Sequence, residues 1–233
     1  MVQRTRKSKS NIRILDRETD STTVEGVSAG NEKGKEVLSS KEAPPNSEAK
    51  IDVDIGLDIS TSVVGICVLE SVSGKLLHLG HVKLTAYDNE YDKADMFDES
   101  WYNPTLWNVR RVYIEEAAKK FSPGFSSADT IMTLGRFNGI LSYKIYKLTG
   151  KKPVMVNVRS ARSKLGIKIN YSDKTKNTKQ KVFEAVRALN PSFSWVTHLA
   201  KTGQFKGQTV YDKVNEDRSD AWVICRGGQM LGL

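Results

Sequence analysis

The stretch that most constrains the fold runs from Ile51 to Leu69. Apolar residues alternate with other residues up to Ile59, which is the period of a β-strand with one buried face. Three hydroxyl residues follow and suit a turn, and the segment from Gly65 onward is rich in strand-forming residues. The stretch therefore predicts a β-hairpin that carries Asp58 near the end of its first strand.

The rest of the chain predicts an α/β fold with a mixed sheet. Three consecutive antiparallel strands, a crossover and a strand–helix–strand unit predict a five-stranded mixed sheet flanked by helices. After the hairpin we expect a strand at 75–84, a helical crossover in the acidic stretch 86–108, a strand ending at Ile114-Glu115, a helix from Ser126 or Ser127 to Leu148, a strand at 153–158, helices at 160–165 and 174–189, and a last helix opening at Glu216 that Gly227-Gly228 end early.

Positive charge is concentrated in one segment of a chain whose net charge is +9. Between Asn157 and Arg187, basic residues far outnumber the two acids, Asp173 and Glu184. A concentrated basic face is typical of a protein that binds a phosphate backbone, whereas a solvated helix surface normally mixes both signs. The basic residues are Arg159, Arg162, Lys164, Lys168, Lys174, Lys176, Lys179, Lys181 and Arg187.

The chain divides into a polar tail at 1–50 and one folded domain at 51–233. The tail is predicted to be disordered, and its basic start leaves a nucleic-acid arm, a nuclear signal and an organelle transit peptide as open alternatives. No apolar run approaches the length of about 20 residues that spans a membrane. Cys67 and Cys225 lie in apolar runs, which predicts buried free thiols and an intracellular, reducing location such as cytoplasm, nucleoid or a viral replication site.

Acidic residues stand at the ends of three predicted elements: Asp58, Glu115, and the pair Asp217 and Asp220, which share one helical face. Each has an ordinary structural explanation by itself, since acids in a first helical turn suit the helix dipole. Together they would repel one another unless cations offset their charge. Magnesium prefers such oxygen ligands, and two ions can hydrolyse a phosphodiester. The set therefore predicts metal-dependent cleavage of a nucleic-acid backbone.

Three motifs, in their order and spacing, resemble a known family. They are Gly56-Leu57-Asp58-Ile59-Ser60 followed by Gly65, then Ile114-Glu115, then Asp217-Arg218-Ser219-Asp220-Ala221. Together they resemble the RuvC-like Holliday junction resolvases of the RNase H-like superfamily, over about residues 52–230. The resemblance implies a homodimer that binds a four-way DNA junction and makes paired symmetric nicks with Mg²⁺ or Mn²⁺.

The resemblance also implies roles for individual residues. Asp58, Glu115, Asp217 and Asp220 would be the metal ligands, with Glu116 as a competitor for Glu115. Lys164 and Lys174 match the basic residues near the scissile phosphate, with Lys176, Lys179 and Lys181 as substitutes. Arg159, Arg162, Lys168, Lys176, Lys179 and Lys181 would bind DNA.

Two further features of the family bear on this chain. Bacterial members carry a junction-opening aromatic three residues after the strand-four acid, where this chain has Ala118, so Phe121 and Phe125 are the candidate replacements. The helix with Gly135 and Gly139 matches the dimerising helix of the family. Internal packing of the same two glycines is the alternative.

Two other interpretations stay open, and a third conflicts with the sequence. Another RNase H-like nuclease, acting on flaps or RNA–DNA hybrids, would use the same metal chemistry. A catalytically inactive nucleic-acid-binding homologue would keep the fold alone. A sugar-kinase or actin-like ATPase would need a second domain with its own phosphate loop, and the sequence has neither the length nor a Walker-type glycine loop.

Overall fold

The computed structural model describes residues 49–97, 99–116, 128–172 and 175–233. The predicted tail, Phe121, Phe125, the helix start at Ser126 or Ser127, and Lys174 lie outside these residues. The elements within them are β1 Ile51–Ile59, β2 Val63–Glu70, β3 Leu76–Lys83, α1 Glu90–Asp95, β4 Trp107–Glu115, α2 Ala128–Thr149, β5 Val154–Val156, α3 Val158–Lys164, α4 Thr178–Leu189, β6 Thr197–Leu199, β7 Thr209–Tyr211 and α5 Val214–Leu231.

The first five strands form one sheet in the order β3-β2-β1-β4-β5. The pairs β1–β2 and β2–β3 are antiparallel, and the pairs β1–β4 and β4–β5 are parallel. This is the mixed sheet, flanked by helices, that we predicted for an RNase H-like fold, and the prediction is confirmed. The carboxyl ends of β1, β4 and β5 therefore meet at one edge of the sheet.

Alternation along the strands sends two sets of side chains to opposite faces. On β1, the apolar set ending with Leu57 and Ile59 packs beneath α2, in a core that includes Phe137 and Leu141. The intervening positions of the same strand face α5, and Asp58 is one of them. Because β1 and β4 are parallel neighbours with Leu57 opposite Ile114, the next residues, Asp58 and Glu115, end the two strands side by side.

Helix α5 packs against the sheet without room for side chains at two glycines. A Cβ atom at Gly56 would overlap the backbone of Ala221 and Cys225, and one at Gly65 would overlap the backbone carbonyl of Asp217. Gly65 is also the antiparallel partner of Asp58. The glycine on β2 thus places the first turns of α5 directly over the end of β1.

The predicted early end of α5 is wrong. The helix continues through Gly227 and Gly228 to Leu231 and closes on Gly232, whose φ of 71° is left-handed. Both glycines are buried and leave no room for a side chain. A Cβ at Gly227 would overlap Ala161 of α3, and one at Gly228 would overlap the ring of Tyr113. The two glycines therefore allow α3 and β4 to pack closely on α5 and do not end the helix.

Two further expectations need correction. Helix α4 begins at Thr178 and not at Lys174, because Asn177 forms a capping box with Gln180. The sequence analysis also missed the antiparallel pair β6–β7 between α4 and α5, whose three-residue strands are mostly exposed. Segments this short and polar carry no hydrophobic period to detect.

The two thiols match the expectation from the sequence. Cys67 and Cys225 are both free and buried, as predicted. Among the described residues, no helix combines the length and the apolar character that crossing a bilayer requires.

The packing of α5 on Gly65 can be tested with Gly65→Ala. The added methyl group would meet the backbone of α5, which cannot move aside like a flexible side chain, so we expect a loss of about 2 kcal/mol or more in unfolding free energy. The measurement is urea denaturation of the full chain. The control is Val72→Ile, which adds one methyl group at a position that is 91% exposed, and we expect it to change the unfolding free energy by no more than about 0.5 kcal/mol. Equal stability of the two variants would contradict close packing at Gly65.

Candidate functional site: a buried carboxylate cluster

Four carboxylates from three elements converge at the carboxyl edge of the parallel strands. Asp58 and Asp220 are buried, and Glu115 and Asp217 are half-buried. Asp58 interacts electrostatically with each of the other three acids. The structure thus brings together all four acids that the sequence motifs singled out, although their roles as metal ligands and catalytic groups stay predictions.

The cluster is electrostatically strained. Burial raises the pKa of Asp58 well above its ordinary value, and the charges of Asp220, Glu115 and Asp217 raise it further against the lowering effect of Lys179. Burial and the charge of Asp220 also raise the pKa of Glu115, against the lowering effect of Arg162 and Lys179. Ionised carboxylates at this density are costly unless positive charge stands beside them.

Two basic side chains supply positive charge to the cluster. The ammonium nitrogen of Lys179, on the first turn of α4, lies 2.6 Å from Asp217 Oδ1, 3.7 Å from Asp220 Oδ2 and 3.8 Å from Asp58 Oδ2. Arg162 of α3 donates from Nη2 to Asp220 Oδ1 at 2.9 Å. Burial alone lowers the pKa of Lys179, but the three carboxylates outweigh it and raise that pKa overall.

The donor set fits a hard divalent cation in chemistry. All four groups offer carboxylate oxygens, and Asp58 Oδ2 is buried without a hydrogen-bond donor. In the described ranges, however, no three acidic, histidine or cysteine side chains are arranged around a shared metal position. The ammonium of Lys179 lies against three of the carboxylates. A cation bound by these oxygens would have to compete with that ammonium.

The other predicted basic residues lie in different surroundings. Lys176 pairs with Glu184 at 2.6 Å, and Lys181 donates to the carbonyl oxygen of Asn170 at 2.7 Å. Lys164 is exposed at the end of α3, beside a surface hollow shared with Arg159 and Leu231. Within the described residues no ion pair joins Lys164 to the four acids, so the contacts favour Lys179 as the lysine of the site. The catalytic roles of Lys164 and Lys174 stay predictions.

A basic cavity lies beside the cluster. Its volume is about 280 Å³, and Arg159, Arg162, Lys168 and Tyr171 are among its lining residues. Arg162 belongs both to this cavity and to the carboxylate cluster, so the two adjoin. Arg159 and Lys168 are exposed and available to a phosphate backbone. Their predicted role in DNA binding is compatible with this placement and is not tested by it.

The two glutamates at the end of β4 have different surroundings. Glu115 interacts with Asp58, Asp220 and Arg162. The backbone N–H of Glu116 donates to the carbonyl oxygen of Val156, and its side chain accepts a long contact of 3.5 Å from Asn157. These contacts favour Glu115 as the member of the cluster, and the choice between the two as a metal ligand stays a prediction.

Sequence reasoning missed two residues that hold α5 in place. Arg218 is buried, donates to the carbonyl oxygen of Leu79 on β3, and reaches Asn215 Oδ1 at 3.1 Å. Its guanidinium carbon lies 5.3 Å from the ring centre of Phe193. Asn215 in turn bonds to Val196 through both side-chain polar atoms. In the sequence, Arg218 is only one residue of the motif that contains Asp217 and Asp220. No sequence pattern indicates its hydrogen bonds to β3.

The fold and the site together define an α/β protein of RNase H-like topology with a buried acidic cluster at its sheet edge. No protein-family model matches the chain, and no similar sequence is found among curated proteins.

Among solved structures, the chain is similar to a T. thermophilus RuvC in complex with a Holliday junction substrate, at 13% identity and a TM-score of 0.47, over 77% of this chain and 94% of that one. It is also similar to another Thermus thermophilus RuvC structure, at 15% identity and a TM-score of 0.45, over 77% and 95% of the two chains. The yeast mitochondrial Holliday junction resolvase Ydc2 is similar at 14% identity and a TM-score of 0.44, over 78% and 79%.

The strain in the cluster predicts that Asp58→Asn stabilises the protein in the presence of a chelator. A carboxyl group whose pKa is raised by folding is less favourably ionised in the folded than in the unfolded state, so at pH 7 the native charge lowers stability. We expect the melting temperature to rise by roughly 2–4 °C, as about 1 kcal/mol would give. The gain should shrink as the pH falls toward the ordinary carboxyl pKa of about 4.

Differential scanning calorimetry in EDTA provides the measurement. Asp95→Asn, at an exposed acid at the end of α1, is the control and should change the unfolding free energy by no more than about 0.5 kcal/mol. A lower melting temperature for Asp58→Asn than for the wild type would show that the ionised Asp58 is net stabilised by Lys179.

Proposed function

We propose that the protein is a metal-dependent nuclease that cuts branched DNA, with the four-way junction as its substrate and a homodimer as its working form. The observation that carries the proposal is the convergence of Asp58, Glu115, Asp217 and Asp220 at one edge of the sheet. Folding works against such a cluster, because each acid is desolvated beside like charges. A site that binds cations gives this arrangement a chemical use.

Asp58, Glu115, Asp217 and Asp220 would hold the cation, for which Mg²⁺ is the proposed species and Mn²⁺ a substitute. When bound, the metal supplies a Lewis acid that activates water and stabilises the leaving oxygen of a phosphodiester. The orphaned Oδ2 of Asp58 is the oxygen most in need of such a partner. The proposal thus assigns the metal to carboxylates that are already close together.

Lys179 and Arg162 have a second use in this proposal. Both now offset the negative charge of the acids. If a divalent cation offsets the charge of the acids instead, the ammonium of Lys179 becomes free to bind another anion beside the cluster. A phosphate group that enters the site brings negative charge there, and a nearby lysine can bind it. Lys179 is therefore proposed to contact the scissile phosphate.

The surface near the cluster suits a polyanion. The basic cavity beside Arg162 presents exposed Arg159 and Lys168 together with the exposed ring of Tyr171. Cations that track a backbone next to a stacking ring are typical of nucleic-acid binding. Lys176 and Lys181 have protein partners in the free state, so we assign the main phosphate contacts to Arg159 and Lys168.

The outer face of α2 is proposed as the dimer contact. Met132, Tyr143 and Tyr146 are exposed along one stripe that also contains Gly135 and Gly139. Among the described residues, a Cβ added at either glycine meets nothing within 4 Å, so packing within this part of the chain does not require glycine there. An apolar stripe with small residues allows a second helix to approach closely. A second copy of the chain would present the same stripe.

Metal-dependent cleavage is the direct test of this function. A synthetic four-way junction, a flap, a duplex and an RNA–DNA hybrid are incubated with the wild-type chain over a titration of Mg²⁺. We expect paired symmetric nicks on the junction, no cleavage in EDTA, and a loss of roughly a hundredfold or more in rate for Asp58→Asn, because a ligand of the metal is gone. Junction binding in EDTA should persist in both proteins.

Other outcomes would redirect the proposal. Cleavage that survives Asp58→Asn, or that is indifferent to EDTA, would overturn the metal site. Metal-dependent cleavage that favours flaps or hybrids would keep the chemistry and replace the substrate. The control is Asp95→Asn, which removes one acid far from the cluster in sequence and should cut at the wild-type rate.

The dimer contact is tested with Gly139→Arg. Arginine is a better helix former than glycine by nearly 1 kcal/mol, so the variant should fold well as a monomer while its side chain blocks the stripe. Sedimentation equilibrium should give a dimer for the wild type and a monomer for the variant at micromolar concentration. Val72→Arg adds the same side chain at a position that is 91% exposed on the turn after β2, and should remain dimeric. A Gly139→Arg protein that is still a dimer would exclude α2 as the interface.

A further inference from the structure

The antiparallel pair β6–β7 and its connecting turn form a hairpin, residues 196–212, that the proposed chemistry does not use. Thr197 pairs with Tyr211 and Leu199 with Thr209. The turn is internally bonded, since Gly207 donates to the carbonyl oxygen of Ala200 at 2.8 Å. Gly203 and Gly207 adopt left-handed φ values of 77° and 82° that this tight path requires. The tip therefore has a defined conformation of its own.

The tip presents an aromatic ring between positive charges. Phe205 is 50% exposed, and the neighbouring Lys201 and Lys206 are exposed as well. Between Glu184 and Asp212 the chain contains no aspartate or glutamate. Phe205 is therefore an exposed aromatic side chain flanked in sequence by two cations, in a segment without acids. This combination suits a partner that is both flat-faced and negatively charged.

The base of the hairpin is fixed to the elements that carry the carboxylate cluster. Asn215, in the first turn of α5, accepts from the backbone N–H of Val196 at 3.2 Å and donates to its carbonyl oxygen at 2.7 Å. Arg187 of α4 donates to the hydroxyl oxygen of Tyr211 at 2.8 Å. The hairpin is thus bonded to the first turn of α5, the helix that bears Asp217, and to the last turn of α4, whose first turn bears Lys179. Its position relative to the cluster is set by these bonds.

We propose that this hairpin binds an unpaired stretch of DNA, with the ring of Phe205 stacked on a base and Lys201 and Lys206 on the flanking phosphates. Every base has a π-face, so an aromatic side chain between cations binds single strands with little sequence preference. A protein partner is the less favoured occupant, because Phe205 is the one large apolar side chain in the turn, while the exposed Leu199 and Tyr211 lie on the strands. The inference rests on the proposed function only in taking DNA as the substrate.

The test measures DNA binding by the full chain in EDTA, where no cleavage is expected. The probes are a duplex with a single-stranded arm that carries 2-aminopurine, and the same duplex fully paired. Phe205→Ala should weaken binding to the armed duplex about tenfold, leave the paired duplex within about twofold, and abolish the quenching of 2-aminopurine that stacking causes. The control is Leu106→Ala, a residue 48% exposed at the opposite end of the sheet, which should change neither quantity.

The two lysines are tested through the salt dependence of the same binding. Lys201→Gln with Lys206→Gln should reduce the slope of log K against log salt by about 1.4, since each single-strand phosphate contact contributes about 0.7. Lys151→Gln with Lys152→Gln removes the same charge from exposed lysines before β5 and should leave the slope unchanged. Calorimetric melting verifies that all variants are folded.

Unchanged affinity and quenching for Phe205→Ala, or an unchanged slope for the hairpin lysines, would overturn the inference. This failure is separable from failure of the nuclease proposal. A chain that cuts junctions with Mg²⁺ but binds DNA normally without Phe205 refutes the hairpin alone. Loss of armed-duplex binding in Phe205→Ala, in a chain that cuts nothing, supports the hairpin and refutes the nuclease.

Discussion

The contact between α5 and the sheet is the constraint on which the site depends. Gly56 and Gly65 leave no side chain between the strands and the helix, so the backbone of α5 lies directly on β1 and β2. The first turns of the helix then bring Asp217 and Asp220 to the end of β1, where Asp58 stands opposite Gly65. Further along, Gly227 and Gly228 let α3 and Tyr113 approach the same helix. Backbone contact at four glycines thus fixes where the acids meet.

Positive charges from the neighbouring helices partly offset the repulsion between these acids. Lys179 of α4 and Arg162 of α3 reach the cluster from different sides of α5. The balance is incomplete, because burial and mutual repulsion still raise the pKa of Asp58, Glu115 and Asp220. A buried acidic cluster with residual negative charge is a natural binding site for a divalent cation. The basic cavity is lined by α3, the helix that supplies Arg162 to the cluster, and by the segment that follows it.

The sequence was informative where periodicity was strong and silent where contacts are long-range. The alternation from Ile51 to Ile59 predicted β1 and the face of Asp58, and the sheet followed from the order of the elements. The sequence could not show which lysine lies at the cluster, because five lysines on or between α3 and α4 fitted the role equally well. Only the start of α4 at its Asn177 cap places Lys179 over the acids.

The errors have the same origin. Gly227-Gly228 resembled a helix end, yet their lack of side chains serves packing inside α5. The β6–β7 hairpin escaped notice because its strands are three residues long and largely exposed, and its anchors, Asn215 and Arg187, lie in other elements. Local pattern predicts elements, whereas a site made from three elements depends on contacts that no local pattern contains.

Anomalous scattering from Mn²⁺ in crystals of the wild-type chain tests the central claim most directly, since it locates the cation without reference to activity. The account predicts a peak at ligand distance, about 2.1–2.3 Å, from oxygens of Asp58 and at least one of Asp217 and Asp220, with the ammonium of Lys179 displaced from these oxygens. Peaks at other surfaces alone, with Lys179 still bound to Asp217, would contradict it.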